Sequence, residues 1–190
     1  MRTPMIAGKW KLHKTLDEAT ALVSELIPAV AGNNQVEIVV APVFTALHKV
    51  AEAIEAAIDV PFIHLADTTA DAVLAAGLDS VGLLGTRFTM EEDFYRDRLE
   101  SRGLTVLTPS EAERTLVHDV IFDELVRGEL NRSSREDFLD VIDRLGSAGA
   151  QGVIAGCTEI ELLVTEDDVF VPWFPTTRLH AAAAVEAALD

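Results

Sequence analysis

Short runs of Val, Ile and Leu alternate along this chain with longer amphipathic segments, and most of those segments open on a helix-start signal. The strand candidates are Met5–Trp10, Val36–Ala41, Phe62–Ala66, Val81–Gly85, Thr105–Leu107, Gly152–Ala155 and Val169–Trp173. Several are apolar nearly throughout, as strands covered on both faces of a parallel sheet must be. Between them Thr15-x-x-Glu18, Thr89-x-x-Glu92, Ser110-x-x-Glu113 and Ser133-x-x-Glu136 have the spacing of capping boxes, in which a hydroxyl and a carboxylate satisfy the free N–H groups of a first turn. Leu16, Ala19, Val23, Leu26 and Val30 fall on one helical face, and Phe138, Val141, Ile142 and Leu145 on another. Strand–helix alternation of this kind implies an α/β fold with a mainly parallel sheet. The stretch from about Glu111 to Gly149 reads as two helices without an intervening strand, broken at Gly128–Ser133. No Pro/Gly/Ser-rich linker divides the 190 residues, and the pattern is equally compatible with seven strands in one sheet and with two sheets of three and four.

Charge narrows the partners. With 32 acidic against 15 basic residues the chain carries −17, which repels nucleic acid and anionic lipid, so neither is expected. No run of about 18 apolar residues suits a membrane span, and the opening Met1-Arg-Thr-Pro lacks the apolar stretch of a secretory leader. A single cysteine excludes an internal disulfide and fits a reducing cytoplasm.

That cysteine, Cys157, lies in Gly152-Val-Ile-Ala-Gly-Cys-Thr-Glu-Ile160, where a strand ends and a helix is expected to begin. Free N–H groups at such a junction favour an anion and should ease loss of the thiol proton. Arg127 and Arg132 sit where a basic residue can meet a carboxylate, or simply be solvated as exposed helix-end charges. His48, His64, His118 and His180 are scattered, with no spacing for a metal, and no glycine-rich phosphate loop is present, so no metal or nucleotide cofactor is expected. Trp10 and Trp173 both end strand candidates and read as packing residues.

Two resemblances follow from longer motifs. From His48-Lys-Val-Ala-Glu-Ala-Ile, through Val60-Pro-Phe-Ile-His-Leu-Ala-Asp67, Val81-Gly-Leu-Leu-Gly-Thr-Arg-Phe-Thr-Met90, Ile121-Phe-Asp-Glu-Leu125 and Gly152–Ile160 to Thr176-Thr-Arg-Leu-His180, the chain resembles the aspartate/glutamate racemase family of cofactor-independent amino-acid racemases. The first 47 residues, with Met5-Ile-Ala-Gly-Lys-Trp-Lys-Leu-His-Lys-Thr15 and Val36-Glu-Ile-Val-Val-Ala-Pro-Val-Phe-Thr-Ala-Leu47, are similar to the opening strand–helix–strand of bacterial triosephosphate isomerase, except that Lys9 replaces that family's Asn. Lys11 falls at its substrate-binding lysine, His13 and Lys14 follow its pattern, and its catalytic His and Glu have no counterpart here. A junction near Ala46–His48, inside one βα unit rather than at a linker, points to an engineered chimera.

The racemase resemblance implies two flavodoxin-like (Rossmann-like) lobes: residues 1–65 with 176–190, completed by the TIM-barrel-derived fragment, and residues 66–175. It implies a homodimer, a small acidic amino acid or other carboxylate as ligand, and no cofactor. It assigns Cys157 to one face of the substrate Cα. Thr158, Glu159, Thr86 and Thr89 would line the cleft, and Arg127 would meet a side-chain carboxylate. The second base of the family, a Cys or Thr on the opposite face, falls at Phe44, which has no exchangeable proton, with Thr45 beside it. The expected outcome is a fold chimera without efficient catalysis; the alternative is a racemase retaining one-thiol α-proton exchange on aspartate or glutamate.

Overall fold

The computed structural model describes residues 5–9, 15–32, 35, 37–41, 47–56 and 62–189. Trp10, Lys11, His13, Lys14, Phe44, Thr45 and the Ala46 side of the junction lie outside them. The chain divides into two compact units, 1–62 and 63–190.

In the first unit β1 (Met5–Lys9) pairs in parallel with β2 (Glu37–Ala41), Met5 opposite Glu37 and Lys9 opposite Ala41. Between them runs α1 (Leu16–Val30), and α2 (Leu47–Glu55) follows β2. The Thr15 capping box forms as its spacing requires: the Thr15 amide donates to the Glu18 carboxylate at 2.8 Å, and the Glu18 amide donates back to the Thr15 hydroxyl. Ala19 and Val23, two of the five residues on the expected apolar face, are buried against Val50 of α2, with Ile27, Ala53 and Ile54 around them.

The second unit contains α3 (Leu65–Ala75), β3 (Ser80–Leu84), α4 (Arg87–Glu91), α5 (Asp93–Ser101), β4 (Thr105–Leu107), α6 (Glu111–Asp123) and α7 (Arg132–Ser147). They are followed by β5 (Gly152–Ala155), α8 (Ile160–Leu163), β6 (Trp173–Pro175) and α9 (Thr176–Leu189). Its four strands form a wholly parallel sheet in the order β4-β3-β5-β6. Side chains alternate across it, as a period of two dictates. Val81, Leu83, Ile154 and Phe174 meet α3 and α5 on one face, in a cluster with Ala66, Val73, Tyr95 and Leu99. Leu84, Val153, Ala155 and Trp173 meet α6, α7 and α8 on the other, with Val117, Ile121, Phe138 and Leu145. The layers are therefore helix, sheet, helix. Arg98 of α5 clamps Asp67 of α3 through two hydrogen bonds of 2.9 and 2.8 Å, and this guanidinium holds the Asp67 carboxyl below the usual range.

The strand order is that of a flavodoxin-like sheet, in which the connection leaving β3 and the one entering β5 lie on opposite faces. The α/β expectation with parallel sheets holds, and so does the two-helix stretch between β4 and β5. Four local expectations change. Phe62–Ala66 is not a strand: His64 accepts the Ala66 amide on Nδ1 at 3.1 Å and caps α3, whose buried face is Ala66, Thr69, Ala70 and Val73. The strand expected at Val169–Trp173 is β6, Trp173–Pro175, because pairing with Val153–Ala155 sets its register. Thr89 lies inside α4, capped instead by Thr86, and Ser133 lies inside α7, capped at Asn131. The last helix, α9, packs along α3.

Candidate active site

In a sheet of this order a ligand crevice forms at the carboxyl ends of the strands where the connections diverge. Here that point lies between β3 and β5, and the chain makes two similar turns there: Leu84-Gly85-Thr86 after β3 and Ala155-Gly156-Cys157 after β5. The Gly156 amide donates to the Leu84 carbonyl at 2.7 Å, extending the ladder by one bond beyond the strands. A side chain at Gly156 would lie 2.8 Å from that same carbonyl oxygen, so the approach requires glycine.

Thr89 fills the space the two glycines leave. A Cβ at Gly85 would meet its Cγ2 at 3.0 Å, and one at Gly156 would meet it at 3.2 Å. Thr89 is buried, and its hydroxyl lies 3.2 Å from that of Thr86, which in turn accepts the Thr89 amide. Thr86 is half-buried beside it. Thr89 is thus a packing member of the turn, and Thr86 its more open hydroxyl.

Cys157 is half-buried and faces a carboxylate on its own turn. Its thiol donates to Glu159 Oε2 at 2.9 Å, and the Thr158 hydroxyl donates to the same oxygen at 2.7 Å. Burial and the adjacent Glu159 push the thiol from an ordinary 9.0 up to about 12, while the two donors hold the Glu159 carboxyl below its usual range. This overturns the expectation of an acidified thiol. Helix α8 begins only at Ile160 and has four residues, so its dipole at Cys157 is small, and the nearest charge is negative.

Arg127 ends a short 3-10 turn, exposed, 3.5 Å from Asp123, and Arg132 pairs with Glu136 at 2.8 Å. No contact in the structure joins either of them to Cys157. Sequence reasoning missed Thr176: its buried hydroxyl donates to the Ala155 carbonyl at 2.9 Å and ties the start of α9 to the strand end beneath Cys157. The Thr176–His180 motif was the available signal. Among the described residues no group of three or more His, Cys, Asp or Glu gathers as for a metal, and no helix is long and apolar enough to cross a membrane.

The sequence pattern of the Asp/Glu/Hydantoin racemase family matches residues 8–184. The chain belongs to that family. A Yersinia pestis protein assigned to the Asp/Glu racemases superposes with a TM-score of 0.80 at 44% identity, over 92% of this chain and 76% of the other. An aspartate racemase homologue from Pyrococcus horikoshii OT3 superposes at 0.68 with 25% identity, over 100% of both chains. A second similarity overlies this one. Triosephosphate isomerase of Pelobacter propionicus is 67% identical over 54 residues, 28% of this chain and 22% of that protein. That of Trichlorobacter lovleyi is 66% identical over 53 residues, 28% and 21%. The chain thus spans about a fifth of the length of these isomerases. The 54-residue match is longer than the 47 residues whose motifs carry the isomerase resemblance, and the racemase pattern leaves only residues 1–7 and 185–190 uncovered, so the two similarities overlap along the chain.

Proposed function

We propose that this chain is an engineered chimera on an Asp/Glu racemase scaffold, its opening exchanged for isomerase sequence, and that it does not racemise amino acids efficiently. One observation carries the loss of activity: the sole thiol rests protonated against Glu159. With a pKa of about 12, the thiolate fraction at pH 7 is on the order of 10⁻⁵, so Cys157 is placed to give a proton rather than to take one. Racemisation needs a base on the opposite face, and the residue matching the family's second base is Phe44. The family supports a small acidic amino acid as the ligand, with Thr158, Glu159 and Thr86 around its carboxylate and amine and Arg127 as a distal cation. It also supports two flavodoxin-like lobes and a homodimer. The single cysteine and the charge support a cytoplasmic setting.

Incubation with L-aspartate or L-glutamate followed by chiral chromatography tests the proposal. The expected result is no D-enantiomer above that formed with Cys157→Ala; Cys157-dependent D-enantiomer would overturn it. The placement of Cys157 at the switch point of the sheet favours a second reading, slow α-proton exchange at one face. In D₂O this would appear as loss of the α-proton signal of L-aspartate without inversion, absent in Cys157→Ala.

A further inference from the structure

Helix α4 has five residues, far too few to be stable by itself, yet it carries the crevice turn: Thr86 is its cap, and Thr89 is wedged between Gly85 and Gly156. Its first amide finds a partner on another element. The Arg87 N–H, which has no acceptor within its own helix, donates to Nδ1 of His118 on α6 at 3.2 Å. The Arg87 guanidinium donates to the Thr115 hydroxyl, three residues before His118 and so on the same face of α6. Two bonds from one residue fasten α4 to α6.

A ring nitrogen that accepts a hydrogen bond carries no proton, so the first bond exists only with neutral His118, protonated on Nε2. An imidazolium has donors on both nitrogens and sets an N–H against the Arg87 N–H. Imidazoles change state between about pH 5 and 8, so this is a fastening that protons undo. His118 is half-buried, which leaves solvent a route to it. Phe88 and Phe122 flank its ring at centroid distances of 6.2 and 4.7 Å, in contacts that keep the ring in place whatever its charge.

The charged groups of the elements packed here are engaged elsewhere or open to water. Glu91 of α4 is shared by Arg87 at 3.5 Å and Arg114 of α6 at 3.0 Å. On α6, Glu113 pairs with Arg144 of α7, Asp123 pairs with Arg127 of the following 3-10 turn, and Glu111 and Asp119 are exposed. Among the described residues no carboxylate pairs with His118 to hold an imidazolium where the neutral ring sits.

We propose that His118 is a proton-operated latch on the crevice turn. Neutral, it caps α4 and holds Thr86 and Thr89 in place; protonated, it releases the first turn of α4 and loosens both. The latch acts on the scaffold of the crevice and does not rest on the activity proposed there. His64 offers a comparison within the molecule. It caps α3 through the same nitrogen, accepting the Ala66 amide at 3.1 Å, but α3 has eleven residues and a buried face, so it outlasts the loss of a cap.

Nuclear magnetic resonance between about pH 8 and 5.5 follows both partners of the bond. The Arg87 amide signal should move with the same midpoint as the His118 ring. Below that midpoint the Met90 amide, which closes the turn of α4 on the Thr86 carbonyl at 3.0 Å, should lose about tenfold in protection from hydrogen exchange, the worth of one net hydrogen bond. His118→Asn puts a side-chain oxygen near the place of Nδ1 without a titrating group, and should keep Met90 protected at both ends of the range. His118→Phe should leave Met90 unprotected at both ends, with the Ala66 amide as protected as in the parent. The proposal fails if the His118 ring stays neutral to pH 5.5, or if the Arg87 amide does not follow it. It fails equally if either variant retains the pH dependence of the parent.

Discussion

The turn after β3 and the turn after β5 are neighbours with the same plan: a strand end, a glycine, then a hydroxyl or thiol residue. They do opposite things with it. After β3 the Thr86 hydroxyl receives the amide of Thr89 and caps α4, so the polar atoms of the turn satisfy one another without charge. After β5 there is no such cap; Cys157 and Thr158 both donate to a carboxylate from Glu159, and the thiol is pushed to about 12. Backbone geometry places a side chain at the crevice, but the charge beside it decides what that side chain can do.

The largest effect should come from removing the glycine that lets the two turns meet. Gly156→Ala puts a Cβ 2.8 Å from the Leu84 carbonyl oxygen, which belongs to the sheet and cannot yield, so urea unfolding should show a loss of about 3 kcal/mol. Gly85→Ala meets the Thr89 Cβ instead, at 2.9 Å, and should cost about half as much because the five-residue helix that carries Thr89 can shift where a sheet carbonyl cannot. Equal losses would mean that the strand end after β5 is as yielding as that short helix.

Glu159→Gln addresses the charge directly. The thiol pKa, followed by thiolate absorbance, should fall by about one unit or more, and alkylation by iodoacetamide near pH 8 should rise about tenfold. An unchanged pKa would leave burial alone as the cause. The same contrast has a pH signature. Because the folded thiol titrates near 12 instead of 9.0, its contribution to stability is complete below about pH 9 and is lost as pH rises toward 12. Tyr95, buried and also raised to about 12, titrates in the same window, so the thiol's share is the difference between the parent and Cys157→Ala unfolding curves. Superimposable curves would count against a raised thiol pKa. The smallest effect belongs to Thr86→Ala, a lost helix cap worth about 1 kcal/mol by thermal or urea melts, with the Cys157 titration unmoved.

Features decided by neighbours within one turn were legible in the chain. The Thr15 and Ser110 capping boxes form at the positions their spacing indicates, and Phe138, Val141, Ile142 and Leu145 are all buried on one face of α7. The strands Thr105–Leu107 and Gly152–Ala155 begin and end where their apolar runs do. Failures occurred where a local signal had more than one solution. Phe62–Ala66 is apolar enough for a strand, yet the 3–4 spacing of Ala66, Thr69, Ala70 and Val73 and the His64 cap make it a helix start. At Val169–Trp173 the apolar run is longer than the pairing, and the partner strand selects its end.

The site divides in the same way. Sequence alone placed Cys157, Thr158, Glu159, Thr86 and Thr89 at strand ends, because hydrophobic runs and glycines mark those ends locally. It also carried the two similarities, since identity of motifs is a property of order along the chain. Only the tertiary structure decided that β3 and β5 are neighbours, that Thr89 is wedged between Gly85 and Gly156, and that Thr176 braces Ala155. It alone decided the state of the thiol. A pKa depends on burial and on the distance to a carboxylate, and neither is set until the turn has folded against the sheet.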